Sequence, residues 1–245
     1  MLTDAEWKAW GKRDPLWGVA SHKGREKDGA NPWTDDEFYA LGEDWTAIYE
    51  RAWRTRGGTF AGTVVEIGCG AGRITQMLAH AFDRVIAVDV SPDIIAYAKA
   101  RVGGDHISWQ VGKGDRLPCG DELADAAFSC HVFQHFNDNA AQRAMFGEIA
   151  RVLKPGGTFL IDLPTHQFPT GRFAAVARSG YAAYLQMQRA KAAVQRHAMR
   201  LGFRPPMRMV SYEADRLLAD LAALGFTDLE ILVTARCVFG RKRLE

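Results

Sequence analysis

The chain of 245 residues carries 31 Lys and Arg against 29 Asp and Glu, a net charge of +2 that is too small to mark a nucleic-acid binder. Its 47% hydrophobic and 24% charged content is that of a globular protein, and no run of about 20 apolar residues is present to cross a bilayer. The N-terminus has charges where a leader would need an apolar core, so a cytoplasmic location is expected, and Cys69, Cys119, Cys130 and Cys237 show neither C-x-x-C nor His at ligand spacing, so no metal or disulfide framework is expected.

Residues 1–30 are polar, with Trp7, Trp10 and Trp17 scattered through them, and Asp14-Pro15 and residues 21–29 read as loop. Thr34-Asp35-Asp36-Glu37 is a helix start, with a Thr N-cap and an acidic first turn. Trp45, Tyr49 and Trp53 then share one helix face, either packing the helix on the body or forming an aromatic lid. Residues 63–75, T-V-V-E-I-G-C-G-A-G-R-I-T, are a buried strand breaking into a glycine turn, with a helix expected over 72–81. Glycines there let backbone approach a ligand closely, and free N–H groups at a helix start suit a negative or lone-pair-bearing group.

A second strand at 84–90 ends in Asp89. Ser91-Pro92 caps a helix running to about Val102, where Gly103-Gly104 stops it. Strands follow at 106–111 and 124–130, the second after a loop over 112–121. A helix spans 138–153, Lys154-Pro155-Gly156-Gly157 is a stop, and a fifth strand covers 158–163. Strands alternating with helices give a doubly wound parallel sheet. After a helical stretch within 164–210, a helix capped at Ser211 runs to Leu224. Strands at 227–233 and 235–240 are too close for a parallel crossover and are expected to pair as a hairpin.

The glycine spacing E-x-G-x-G-x-G is not the dinucleotide fingerprint, because Arg73 stands where its third glycine belongs. Together with V-I-A-V-D-V-S-P, L-A-D-A-A-F-S-C-H-V-F-Q-H-F and R-V-L-K-P-G-G-T-F-L-I-D, the segment resembles the class I S-adenosylmethionine-dependent methyltransferases, over most of the chain from about residue 60. D-E-F-Y-A-L-G resembles a lid segment of one small-molecule subgroup. The resemblance implies an α/β, Rossmann-like, seven-stranded sheet, mostly parallel with a C-terminal antiparallel hairpin. It implies an N-terminal helical lid over 1–56, the catalytic domain over 57–245 and a helical substrate cap over 164–210.

It also implies S-adenosyl-L-methionine as cofactor, held by Glu66, Gly68, Cys69, Gly70, Gly72, Asp89, Val90, Gly114, Asp115 and Cys130. Asp89 would accept from the ribose hydroxyls, since a carboxylate suits a neutral diol. Glu66 would act near the cofactor's amino group, or else anchor the glycine loop. One departure stands out. Lys113 occupies the position where the family often has an Asp or Asn for the adenine amino group, and lysine only donates, which leaves Asp115 or backbone groups for that contact.

Methyl transfer from a sulfonium is an in-line displacement, so the protein mainly aligns the partners and excludes water. Candidate bases lie at the carboxyl ends of the strands: His131 and His135 after strand four, Asp162 and His166 after strand five. His135 is the first choice for a base or orienting group and His166 the second, with a loop-shaping histidine the alternative for His135. The D/N-P-P-Y/F motif of amino-methylating enzymes is absent, Pro118-Cys119 precedes strand four and is an ordinary loop, and Asp162 alone is too little for a metal-dependent enzyme.

Residues 164–210 hold eight Arg and Lys and no acid, with Arg178, Arg189, Arg196 and Arg200 on one helix face and Tyr184 and Leu185 packed. That face suits an anionic substrate, or is a solvated face turned to acids of residues 35–50 or to a second subunit. The expected acceptor is an O or N atom of a small molecule, an anionic one fitting the basic segment. The alternatives are RNA or another polyanion, and a SAM-fold binding protein without transferase activity.

Overall fold

The computed structural model describes residues 4–58, 60–199, 201, 203, 209–232 and 236–244, without the side chains of 44–46. Helices α1 (Asp4–Arg13), α2 (Pro15–Val19) and α3 (Asp35–Arg54) precede the sheet. Residues 21–29 are loop as expected, whereas Pro15, expected in a loop, opens α2. Asp14 caps α2 by accepting from the Trp17 N–H, and Pro15 fills the first helical position. Thr34 and Glu37 form the reciprocal capping box of α3.

The body alternates β1 (Thr63–Ile67), α4 (Thr75–Ala81), β2 (Arg84–Asp89), α5 (Pro92–Lys99), β3 (Ile107–Val111), β4 (Ala124–Ser129), α6 (Asn139–Val152) and β5 (Leu153–Asp162). A short β6 (Thr165–His166), α7 (Ala174–Met199), β7 (Tyr212–Glu213), α8 (Ala214–Ala223), β8 (Phe226–Leu232) and β9 (Cys237–Lys242) follow. The seven-stranded sheet has the order β3-β2-β1-β4-β5-β9-β8. β9 runs antiparallel to both its neighbours, so the expected hairpin closes the sheet edge. Val233 and Ala235, expected at the hairpin's inner ends, lie outside the described residues.

Strand alternation divides the core. Val65, Ile67 and Ile86 face α6 and α8 with Phe146, Ile149, Phe159 and Leu217. Val64, Val85 and Leu160 face α3, α4 and α5 with Tyr49, Trp53, Leu78 and Ile95. Tyr49 and Trp53 are therefore core rather than lid, 2% and 1% exposed, and Trp53 Nε1 donates to Thr158 Oγ1 at 3.0 Å. The Trp45 side chain lies outside the described residues.

Element boundaries differ from expectation in several places, three of them with a local cause. α4 begins at Thr75, because Gly72 sits at φ 85°, outside helical space. β5 begins at Leu153, which pairs with Ala124 while Thr158 pairs with Ala126, so the Lys-Pro-Gly-Gly stretch is looped out inside a longer strand. Ser211 does not cap α8. Its hydroxyl meets His166 Nδ1 at 2.8 Å and Tyr181 Oη at 2.9 Å, and Tyr212 and Glu213 pair with β6 before the helix starts.

Candidate functional site

The order of the parallel strands reverses between β1 and β4, and sheets of this kind bind ligands at the carboxyl ends beside that point. A cavity of about 490 Å³ lies there. Its floor comes from Gly68 and Gly70 after β1, Asp89 and Val90 after β2, Gly114 and Asp115 after β3, and Cys130 and His131 after β4. Trp7 of α1, Val19 of α2 and Met209 line it from other parts of the chain.

The glycine loop has the shape its sequence requires. Gly68 and Gly70 hold φ of 73° and 54°, where side chains are strained. A Cβ on Gly68 would come within 2.3 Å of Val132 Cγ2, and one on Gly70 within 2.7 Å of Val19 Cγ2. The N–H groups of Gly68 and Cys69 donate to Val88 O at 2.7 and 3.0 Å, tying the loop to β2. The Gly70 N–H donates to Asp89 Oδ2 and the Ser91 N–H to Asp89 Oδ1, each at 3.0 Å. The carboxylate is thus oriented, and each oxygen keeps a further acceptor direction. Burial raises the pKa of Asp89, against the N–H bonds from Ser91, Gly70 and Val90.

Other expected site residues stand outside the cavity wall. Glu66 shares the strand face of Val64, beneath α4, where its Oε2 accepts from Thr75 Oγ1 at 2.6 Å. It is 3% exposed, and burial pushes its pKa up to about 7. Cys69 is buried in the core, and Gly72 abuts Ala98, Val102 and Trp109 on the α5 side. His166 packs against Phe168 and Tyr181 beside Ser211, with its pKa lowered by burial. Lys113 is exposed, whereas Asp115 lines the wall.

At the end of β4 the two histidines differ. His135 meets the Trp7 ring edge-on at 5.0 Å and lies at 3.2 Å from Gln134 Nε2. His131, at φ 58°, has Nε2 at 3.6 Å from Asp162 Oδ2. The same oxygen accepts from Tyr49 Oη at 2.9 Å, and the Cys130 thiol donates to that phenol. Burial, with Arg73, Arg236 and His135 nearby, pushes His131 down to about 4. Burial pushes Asp162 up to about 6 against the Tyr49 bond. His131 is therefore neutral near pH 7, with one ring nitrogen near a carboxyl group. The sequence signal was position alone, two groups at neighbouring strand ends.

Residues 65–161 match the family described as Methyltransferase domain. Over those residues the chain carries a methyltransferase domain. The chain is similar to the malonyl-[acyl-carrier protein] O-methyltransferase of Hahella chejuensis, 35% identical over 99 residues, covering 40% of this chain and 34% of that protein. It is also similar to the ubiquinone/menaquinone biosynthesis C-methyltransferase UbiE of Rubrivivax gelatinosus, 39% identical over 98 residues, 40% of this chain and 37% of that protein. The matches thus span about a third of these curated relatives' length. The solved structure of the [4+2]-cyclase SpnF matches with a TM-score of 0.59 at 15% identity, covering 99% of this chain and 97% of that one, a likeness of fold.

The family's cofactor is S-adenosylmethionine, and the cavity's donor set fits it. Asp89 offers acceptors for a ribose diol, and the glycine loop exposes backbone where a Cβ would intrude. Arg73 sets a cation in the wall. Among the described residues no group of His, Cys, Asp or Glu could hold a metal ion.

Proposed function

We propose that the methyltransferase domain moves a methyl group from S-adenosylmethionine to an O or N atom of a small molecule. Asp89 carries this reading: an oriented carboxylate at the end of β2, opening on a cavity floored by glycine backbone. When bound, the cofactor supplies a methyl already activated by its positive sulfur. The chain orients the two reactants and excludes water, with Trp7, Val19 and Met209 covering the cavity. An acceptor that must lose a proton has His131 and His135 at the wall. His131 is the better placed, because its Nε2 lies 3.6 Å from the Asp162 carboxyl group.

A second cavity of about 290 Å³ shares Asn137 and Met209 with the first and is lined by Leu185, Gln188 and Arg189 of α7 and by Arg216. It suits a compact acceptor, with Asp138 beside the two arginines in its wall. A polyanion is less well served. Arg178, Arg189 and Arg196 pair with Glu213, Asp138 and Glu6, which offsets much of the basic face with acids of the same chain. Arg200 of that face lies outside the described residues.

Titration calorimetry with S-adenosylhomocysteine tests the reading. The intact protein binds it, and Asp89→Ala weakens binding roughly 10-fold or more while the fold is kept. Absence of binding to the intact protein would end the proposal. Release of S-adenosylhomocysteine from S-adenosylmethionine on adding small acids, alcohols or amines identifies the acceptor class.

A further inference from the structure

α7 shows its more apolar side to solvent. Its inner side meets the fold through Tyr181 at Ser211 and through Leu185 and Gln188 at the second cavity, and Ala192 is its buried residue. On the opposite side Val176, Met187 and Val194 are 71%, 60% and 71% exposed. With Ala183 they recur at intervals of seven, four and seven, which keeps them on one line along the helix. Gly180 and Ala190 fill the places between, and exposed Phe173 stands just ahead of the helix. At about 1.5 Å per residue the stripe is about 30 Å long. Apart from Ile48, Val111 and Leu244, the large apolar side chains exposed among the described residues all lie between Phe173 and Met209. Such a concentration marks a contact surface, unlike apolar residues exposed singly.

The charge beside the stripe selects what it meets. Residues 164–210 hold eight Arg and Lys and no acid. Arg178, Arg189 and Arg196 pair with Glu213, Asp138 and Glu6, whereas Arg172 and Lys191 are exposed, and among the described residues no acid pairs with either. Lys191 lies four residues from Met187 and three from Val194, so it borders the stripe, and Arg172 directly precedes Phe173. A second copy laid on this face would set base against base, with no acid in the segment to answer it. The partner therefore carries negative charge and takes apolar side chains from a single convex helix. A bilayer with anionic headgroups does both: apolar side chains enter the boundary between headgroups and acyl chains while Lys and Arg reach the phosphates. Among the described residues no helix is long and apolar enough to cross a membrane, so α7 would lie along the surface.

We infer that the outer face of α7 docks on an anionic lipid surface, with Val176, Met187 and Val194 inserted and Arg172 and Lys191 at the headgroups. The inference does not depend on the cofactor reading.

Vesicle flotation tests it on the intact protein, with vesicles of phosphatidylcholine alone and of phosphatidylcholine mixed with phosphatidylglycerol. The protein should bind the anionic vesicles several-fold more tightly than the neutral ones, and added salt should weaken that binding. Met187→Glu combined with Val194→Glu should lose roughly 10- to 100-fold in vesicle affinity. Lys191→Gln should lose several-fold and show a smaller salt dependence. Leu244→Glu, which alters an exposed apolar residue away from α7, should bind as the intact protein does. All these side chains are exposed, and thermal melts matching that of the intact protein show that the variants fold. Absence of binding to anionic vesicles would overturn the inference. So would unchanged binding in the folded double variant, or equal binding to neutral vesicles. A dimer in sedimentation equilibrium that the same two glutamates dissociate would also overturn it, giving the face to a second copy.

Discussion

Buried carboxyls at the carboxyl ends of β1 and β5 behave unlike carboxyls in water, and Glu66 shows the consequence. Its pKa rises from 4.5 to about 7 in the fold, chiefly through burial, so between those values the native state holds a proton the unfolded chain gives up. Stability then falls as pH rises through that window. Glu66→Gln imitates the protonated acid and can still accept from Thr75 Oγ1. It should be close to neutral near about pH 5 and gain on the wild type above about pH 7, by up to on the order of 3 kcal/mol. Denaturation midpoints of the two proteins across pH measure this, and a difference that does not change with pH would contradict it. His131 has the opposite sign. Its folded pKa of about 4 lies below the ordinary 6.5, so its neutral form contributes stability that grows as pH rises between them. Neither shift could be assigned from sequence, since each depends on which helices cover the strand ends.

At the scale of the element, the N-terminal helices act on the site through the loop they cover. α3 is set by its capping box, and Thr34→Ala should cost about 1 kcal/mol in urea denaturation. That helix carries Tyr49 to Asp162 and Phe38 to Arg73, so its anchoring reaches both walls of the cavity. α2 presses Val19 onto Gly70. Gly70→Ala adds left-handed strain of about 1–2 kcal/mol and pushes Val19 away from the cavity. Its cofactor affinity should therefore drop further than its stability, read by calorimetry beside a thermal melt. The capping box and the glycine turn were legible because both are local. The two first helices were not, because Trp7, Trp10 and Trp17 in a polar stretch give no clear period. Trp10 becomes core only once α1 lies on α5.

For the whole molecule, α7 is the least embedded long element, with Ala192 its buried residue and Val176, Tyr184, Met187 and Val194 exposed. Tyr184, expected to pack, is thus at the surface, while Leu185 lines the second cavity. Its arginines reach Glu213, Asp138 and Glu6, drawn from three separate parts of the chain. The Arg178 and Arg189 pairs leave those arginines 58% and 55% exposed, so each contributes little in water. Replacing Arg178 or Arg189 by Ala should in each case shift stability by less than about 1 kcal/mol. Affinity for S-adenosylhomocysteine should be unchanged, checked by chemical denaturation and calorimetry, and a loss of several kcal/mol would show that α7 supports the fold rather than capping it.

Alternating strand and helix signals, the glycine spacing and Asp89 at a strand end determined the architecture and the cofactor class from sequence alone. Those signals are local: periodicity, turn chemistry and the residue that ends a strand. The acid near His131, the buried charge of Arg73, the displacement of His166 from the cavity and the pairing of α7's arginines with acids elsewhere in the chain were decided only by the tertiary structure. Each joins groups far apart in the chain, and burial, which sets their charge and their value as contacts, exists only after the helices have packed on the sheet.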